Sequence, residues 1–297
     1  MVGAGLLCAT ALAASAAGTA ITQARDAASG GMVGAEVCGP CHEDVARGFA
    51  ANPHAKTAQT HGGSGVTCED CHGAGKAHVE GGGDKARIFN PANATTQEVD
   101  HLCLGCHQGK DQNFDRSAHA EGNVSCIGCH DIHNSKEKHL LKASQPTLCF
   151  ECHADVKPQF SMPFHHQVNE GLVQCSDCHD THGAYEKQGP KSAALQDAMC
   201  IKCHEAKAGP WVYDHAVVKI EGCTACHTPH GGPNPQLLNR ANVNNICLQC
   251  HSPSINFNTD TPGGSYHNPA EPHQLCLSCH TSIHGSNTSA VFFNSSA

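Results

Sequence analysis

Apolar side chains are sparse along this chain, and glycine and proline interrupt them throughout. The 297 residues include only one Trp, three Tyr and nine Phe, compared with 30 Gly and 15 Pro. The pattern predicts short helices, such as one through Val45 and Phe49, joined by irregular chain with little or no β-sheet. The stretch from Gly81 to Asp100, which has no Cys or His, is predicted to be a surface loop.

An Ala-rich apolar run from Leu6 to Ala20 is the exception to this pattern. It has the length of a signal peptide and is too short to span a bilayer as a helix. Small residues follow it, with a possible cleavage site at Thr22-Gln23-Ala24, although no Lys or Arg precedes it. We therefore expect residues 1–24 to be an atypical signal peptide and residues 25–35 a flexible leader.

A Cys-x-x-Cys-His pentapeptide recurs ten times, and we number these motifs 1 to 10 in chain order. They use twenty of the 21 cysteines. From motif 3 onward they start 23 to 29 residues apart, which makes the chain a repeat. The motifs begin at Cys38, Cys68, Cys103, Cys126, Cys149, Cys175, Cys200, Cys223, Cys247 and Cys276.

This pentapeptide is the attachment signature of a c-type haem. Its two thiols can form thioether bonds to the two vinyl groups of one porphyrin, and the following histidine then ligates the iron. The predicted second thioether cysteines are Cys41, Cys71, Cys106, Cys129, Cys152, Cys178, Cys203, Cys226, Cys250 and Cys279. The predicted proximal ligands are His42, His72, His107, His130, His153, His179, His204, His227, His251 and His280.

Three other uses of Cys-x-x-Cys pairs compete with haem. Zinc ribbons have no need of a histidine after every pair. Disulfide scaffolds spread their cysteines to close longer loops, and thioredoxin-like motifs occur singly. The sequence therefore favours covalent haem over all three.

Ten haems would also explain why the chain has so few apolar side chains for a core. There is too little chain between motifs to wrap each haem in a polypeptide core, so the haems themselves are expected to form the core. Without haem, the chain should lack the buried area needed to fold. The net charge of −9 disfavours nucleic acid as a partner.

The even-numbered motifs share a frame that the odd ones lack, namely one histidine before the motif and one after it. The odd motifs instead follow a Leu, Met or Ile, as at Leu148, Met199 and Ile246, and are predicted to lie on short helices. The repeating unit is thus two haems in about 50 residues.

The flanking histidines provide ten distal ligands for ten haems. Methionine is the alternative distal ligand, but beyond the initiator the chain has only three Met. The simplest prediction is therefore that two histidines ligate each iron. His61 competes with His54, and His166 competes with the favoured His165. The predicted distal set is His54, His78, His119, His133, His165, His182, His215, His230, His267 and His284.

Four segments carry a family resemblance, at residues 54–84, 126–135, 162–166 and 221–233. They resemble the periplasmic decahaem cytochromes of the MtrA/DmsE/PioA type, and the resemblance covers roughly residues 36–284. It implies an elongated haem wire of two pentahaem halves, here residues 36–160 and 161–284, followed by a polar tail at 285–297.

The resemblance also implies partners and a location. The wire would be periplasmic and associated with the outer membrane, partly sheathed by an outer-membrane β-barrel porin. It would carry electrons between a periplasmic or inner-membrane cytochrome and an outer-surface cytochrome or reductase, in either direction. A soluble periplasmic carrier without a barrel is the alternative, and a multihaem reductase, which needs an open iron, is disfavoured by the histidine count.

Overall fold

The computed structural model describes residues 31–57, 65–107, 113–183, 193–251 and 275–293. All ten motifs lie within these ranges. The predicted signal peptide, most of the predicted leader, His61 and His267 lie outside the described residues.

Short helices joined by irregular chain make up the described fold, which confirms the predicted fold class of a multihaem cytochrome c with little β-structure. The longest helix that begins and ends within fully described chain has nine residues. The α-helices are α1 Ala35–Cys38, α2 Glu43–Ala50, α3 Cys68–His72, α4 Lys76–Glu80, α5 Thr96–Leu104, α6 Ala118–Glu121, α7 Cys126–Cys129, α8 Thr147–Phe150, α9 Cys175–Cys178, α10 Ala193–Cys200, α11 Ala216–Ile220 and α12 Val243–Cys247. Single 3₁₀ turns lie at Lys85–Arg87, Pro91–Asn93, Phe114–Arg116, Gln159–Ser161, Glu205–Lys207, Cys223–Ala225 and Cys276–Ser278.

Each pentapeptide forms one helical turn. In nine motifs the backbone N–H of the histidine donates to the carbonyl of the first cysteine, at 2.8–3.1 Å, and motif 2 lies entirely within α3. One turn of helix places residues i and i+4 on the same face. The first cysteine and the histidine of a motif therefore point to the same side, where a covalently attached ring would lie.

Odd motifs 3, 5, 7 and 9 lie at the ends of α5, α8, α10 and α12, as predicted. The predicted surface loop at 81–100 is wrong in its last part, because α5 begins at Thr96. The Thr95 hydroxyl accepts from the Glu98 N–H and the Glu98 carboxylate accepts from the Thr95 N–H, which is a capping box. The sequence Thr95-x-x-Glu98 is the signal that could have located this helix.

The sheet within the described residues has two strands of two residues each, β1 Phe164–His165 and β2 Gly231–Gly232. They pair antiparallel, with Phe164 opposite Gly232 and His165 opposite Gly231. The carbonyl of Gln159 lies against Gly231 where a Cβ atom would be, so a larger residue could not approach there. This small sheet joins the chain before motif 6 to the chain after motif 8.

The polypeptide contributes few fully buried apolar side chains. Among the described residues these are Val99, Phe114, Phe160 and Val168. In contrast, Leu172 and Ile220 are 74% and 75% exposed. Four such residues are too few to form an ordinary core for a chain of this length, which agrees with the expectation that haem provides most of the packing.

Backbone contacts divide the chain into two compact units between Ser144 and Gln145. Four motifs lie in the first unit and six in the second, where motif 5 packs with motif 6. The two pentahaem halves with a boundary after residue 160 stay a prediction. The Gln145 side chain accepts from the Ser176 N–H at 3.1 Å and donates to the Ser176 hydroxyl at 3.0 Å.

None of the helices in the described ranges has the length and apolar character needed to cross a bilayer.

Glu69, inside motif 2, ties this motif to the chain that precedes motif 1. Its side chain accepts from the backbone N–H groups of Val33 at 3.0 Å, Gly34 at 2.9 Å and Gly75 at 2.8 Å. Although burial raises the pKa of the Glu69 carboxyl, these three donors lower it overall. The residue is only 3% exposed. The ionised carboxylate thus holds three segments together.

We expect Glu69→Gln to lower the free energy of unfolding of the haem-loaded protein by about 1–3 kcal/mol, since the amide keeps one acceptor oxygen and turns an N–H group toward backbone donors. Guanidinium denaturation followed by circular dichroism measures this loss. Glu80→Gln is the matched control, because the Glu80 side chain is 66% exposed. Equal midpoints for the two variants would contradict the structural role of Glu69.

Candidate haem-binding sites

The first cysteines of each odd motif and the next even motif lie side by side. In every one of these five pairs one thiol shifts the pKa of the other, so the two are close in space. The pairs are Cys38 with Cys68, Cys103 with Cys126, Cys149 with Cys175, Cys200 with Cys223, and Cys247 with Cys276. Haems attached through these atoms would therefore be neighbours within each pair.

Partial burial of these thiols changes their acidity. Burial, followed by the neighbouring Cys68 thiol, raises the pKa of Cys38 to about 11. Burial and the Asp197 carboxylate raise the pKa of Cys223 to about 12. Burial and Cys276 raise the pKa of Cys247 to about 11. These three attachment atoms thus lie in surroundings of low polarity, which suit the edge of a porphyrin.

In the second unit, the second cysteine of an even motif lies near the cysteines of the odd motif that follows it. Burial raises the pKa of Cys178, and its neighbours Cys200 and Cys203 in motif 7 raise it further. Cys226 of motif 8 is likewise affected by burial and then by Cys250 of motif 9. Attachment atoms therefore follow one another without a break from motif 5 to motif 10.

Within the described ranges, seven pairs of histidine rings face one another, each made of a motif histidine and a histidine from outside that motif. Their ring centroids are 5.8–6.3 Å apart. The pairs are His42 with His78, His72 with His133, His107 with His54, His179 with His230, His204 with His166, His227 with His284, and His251 with His215.

This spacing fits two imidazoles on opposite sides of one metal ion. With metal–nitrogen bonds of about 2 Å on each side, the ring centroids of such a pair are roughly 6 Å apart. Within the described residues, no three His, Cys, Asp or Glu side chains converge as they do in a zinc site. Two protein ligands per ion are sufficient only if another group supplies the rest, as the four nitrogens of a porphyrin do.

Backbone carbonyls orient many of these rings. The ring Nδ1 lies 2.5–2.9 Å from a carbonyl oxygen, to which it can only donate, and this leaves Nε2 as the nitrogen with a lone pair for iron. The motif histidines oriented in this way are His72 by Phe89, His130 by His139, His227 by Gln236 and His280 by Val291. The flanking histidines are His78 by Asp84, His166 by Pro229 and His215 by Ile283.

Two of these carbonyls lie in tight turns with unusual backbone angles. His139 and Gln236 have φ of 58° and 52°, and the leucine after each also has a positive φ. Non-glycine residues rarely adopt this left-handed conformation, and each case costs about 1–3 kcal/mol. Both turns occupy the same place, nine residues after a motif histidine. The repeated strain indicates that the turns serve to aim the carbonyls.

Burial keeps several facing histidines neutral, which is the form that binds iron. It lowers the pKa of His54, His133, His215 and His230. For His284, burial together with Lys207 and the nearby histidines lowers the pKa to about 4.

The geometry favours His166 over His165, against the preference drawn from the sequence. The His166 ring centroid is 6.1 Å from that of His204. His165 instead directs Nε2 at the Glu170 carboxylate, 3.2 Å away. For the other open choice, His54 faces His107, and His61 lies outside the described residues.

The seven pairs follow one order along the chain. Motifs 2, 6 and 8 face the histidine that follows the next even motif, namely His133, His230 and His284. Motifs 3, 7 and 9 face the histidine that precedes the even motif before them, namely His54, His166 and His215. Motif 1 faces His78. Neighbouring haems would therefore be interlocked, each through a histidine from another motif.

The other predicted distal ligands stay predictions. His119 and His182 are within the described residues and have interactions of their own, and His267 lies outside the described residues. Motifs 4, 5 and 10 retain the helical turn that directs the histidine to the side of the first cysteine.

The family model of the doubled CXXCH motif matches residues 118–158, 165–209 and 215–255. Each match covers one even motif and the odd motif after it, the two-haem unit expected from the sequence. The motifs and the fold are those of a multihaem c-type cytochrome.

Two relatives agree with this assignment. The multiheme cytochrome MtrA of Shewanella baltica (strain OS185) is 31% identical over 224 residues, which cover 74% of this cytochrome and 66% of that protein, slightly less than two thirds. The cytochrome c-type protein NrfB of Escherichia coli O6:H1 is 28% identical over 132 residues, which cover 42% of this chain and 69% of NrfB.

His166→Ala should open one iron of the cytochrome and produce a high-spin signal from a single haem, because among the described residues His166 is the histidine that faces His204 at ligand distance. His165→Ala is the matched control and should leave the spectrum low-spin. Electron paramagnetic resonance of the two purified variants measures the difference. A high-spin signal in His165→Ala with none in His166→Ala would reverse the assignment.

Proposed function

We propose that this cytochrome carries ten covalent haems, each closed by two histidines, and passes electrons along them across the outer membrane inside a β-barrel partner. The observation that carries the proposal is the set of seven facing imidazole pairs, each joining two different parts of the chain. We further propose that His166 takes the place of His165 in the predicted ligand set.

An iron whose coordination positions are all filled is suited to electron transfer rather than to substrate turnover. An iron with two imidazole ligands has no open position for a substrate, and its low-spin state changes little on reduction. We therefore propose that the cytochrome is not an enzyme. The chain supplies the haem attachment points, aims the imidazoles and sets the polarity around each site.

A continuous path supports conduction over distance. In the second unit, attachment cysteines of successive motifs are neighbours from Cys149 to Cys276. Haems bound there would lie close enough together for an electron to move from each to the next.

The character of the polypeptide surface supports the proposal of a barrel partner. Irregular chain leaves backbone N–H and C=O groups that lipid cannot satisfy. A β-barrel with a polar interior would shield such a chain while it crosses the hydrocarbon layer of about 30 Å. Haem attachment to c-type cytochromes takes place outside the bacterial cytoplasm, which supports a periplasmic location with association to the outer membrane.

Reconstitution in liposomes tests this function. The haem-loaded cytochrome is incorporated with the candidate outer-membrane barrel into vesicles that contain a trapped redox dye, and a reductant is added outside. We expect dye reduction only when both proteins are present, since the barrel provides the passage and the cytochrome the haems.

Vesicles with either protein alone are the controls. Dye reduction that needs the barrel but not the cytochrome would contradict the conduit. A cytochrome that passes electrons in solution but never associates with the barrel would favour the alternative, a soluble periplasmic carrier.

A further inference from the structure

The residue three places before the first cysteine of an odd motif reaches across to the next even motif. The Asp100 side chain accepts from the Cys126 N–H at 2.9 Å. The Asn244 side chain accepts from the Cys276 N–H at 3.0 Å in the same way. Asp197 occupies the same position before Cys200, and its carboxylate lies 3.2 Å from the Cys223 sulfur. One position thus bridges three of the five cysteine pairs.

Asp100 lies where both haems of its pair would be attached. Its carboxylate is also 3.2 Å from the Cys126 sulfur and acts electrostatically on Cys103. Thioether formation removes the thiol proton, so the backbone N–H of Cys126 is the donor that persists in the haem-loaded protein. The carboxylate therefore stays beside the two attachment sites after haem is bound.

The charge on Asp100 is poorly screened. The residue is 8% exposed and follows Val99, which is 1% exposed. No Lys, Arg or His within the described part of the chain forms a salt bridge with it. A buried charge without an opposite charge acts strongly on its surroundings, because the effective dielectric constant there is low.

The bridging side chain is charged in some cysteine pairs and neutral in others, although the bridging contact is similar. Motifs 3 and 4 are bridged by an acid, and so are motifs 7 and 8. Motifs 9 and 10 are bridged by an amide, and motifs 5 and 6 by the amide of Gln145. Reduction adds an electron to a haem, so a fixed negative charge beside the attachment atoms makes reduction less favourable than a neutral amide does.

We propose that this bridging position sets the relative reduction potentials of the haem pairs. Asp100 and Asp197 lower the potentials of haems 3 and 4 and of haems 7 and 8, and Asn244 leaves those of haems 9 and 10 higher. The proposal rests on haem attachment at the motifs and is independent of the barrel and of transport across a membrane.

The Asp100→Asn variant of the full-length, haem-loaded protein tests the proposal by spectroelectrochemical redox titration. The amide keeps an acceptor for the Cys126 N–H, as Asn244 does naturally, and removes only the charge. We expect the part of the titration curve that belongs to two haems to move to higher potential, with an equilibrium constant for reduction about tenfold larger, or about 59 mV for a one-electron couple. Haem content, the low-spin spectrum and the denaturation midpoint should not change.

The reciprocal variant Asn244→Asp should move two haems to lower potential. Asp115→Asn is the charge control, because Asp115 is an exposed acid in the same unit, and it should leave the curve in place. Asp100→Ala removes both the charge and the acceptor, so it should shift the curve as Asp100→Asn does and also lower the denaturation midpoint. An unchanged curve for Asp100→Asn, or a shift equal to that of Asp115→Asn, would overturn the proposal.

Discussion

The ligand requirement of a haem iron is the constraint on which this structure depends. A porphyrin iron takes two axial ligands on opposite faces, and each Cys-x-x-Cys-His motif supplies only one of them. The second imidazole therefore has to come from another part of the chain. In the seven facing pairs it would come from a histidine that flanks a neighbouring or more distant motif. Each site thus links two segments, and the fold is a set of such links.

This constraint accounts for the irregular architecture. A single helical turn is enough to bring the first cysteine and the histidine of a motif to the same side. Long helices are therefore not needed at the motifs. Strained turns at His139 and Gln236 are kept where a carbonyl has to be aimed at a ring. Few apolar side chains are buried in the described part of the chain, as expected of a fold arranged around bound haem.

Sequence reasoning found the features that depend on local spacing and missed those that depend on which segments meet. The motifs, their helical turns and the candidate histidines can be read from a short stretch of chain. The choice between His165 and His166 cannot, because it depends on which of these two adjacent side chains lies against His204 in the folded chain. The start of α5 at Thr96 could be predicted, because the capping box of Thr95 and Glu98 is a local signal.

The most direct test of this account is a joint count of haems and open irons on the purified, full-length protein. Intact mass spectrometry gives the number of covalent haems, and electron paramagnetic resonance gives the fraction that is high-spin. The account predicts ten haems per chain with all of the iron low-spin. Fewer than ten haems, or a high-spin signal equivalent to one haem or more, would contradict it.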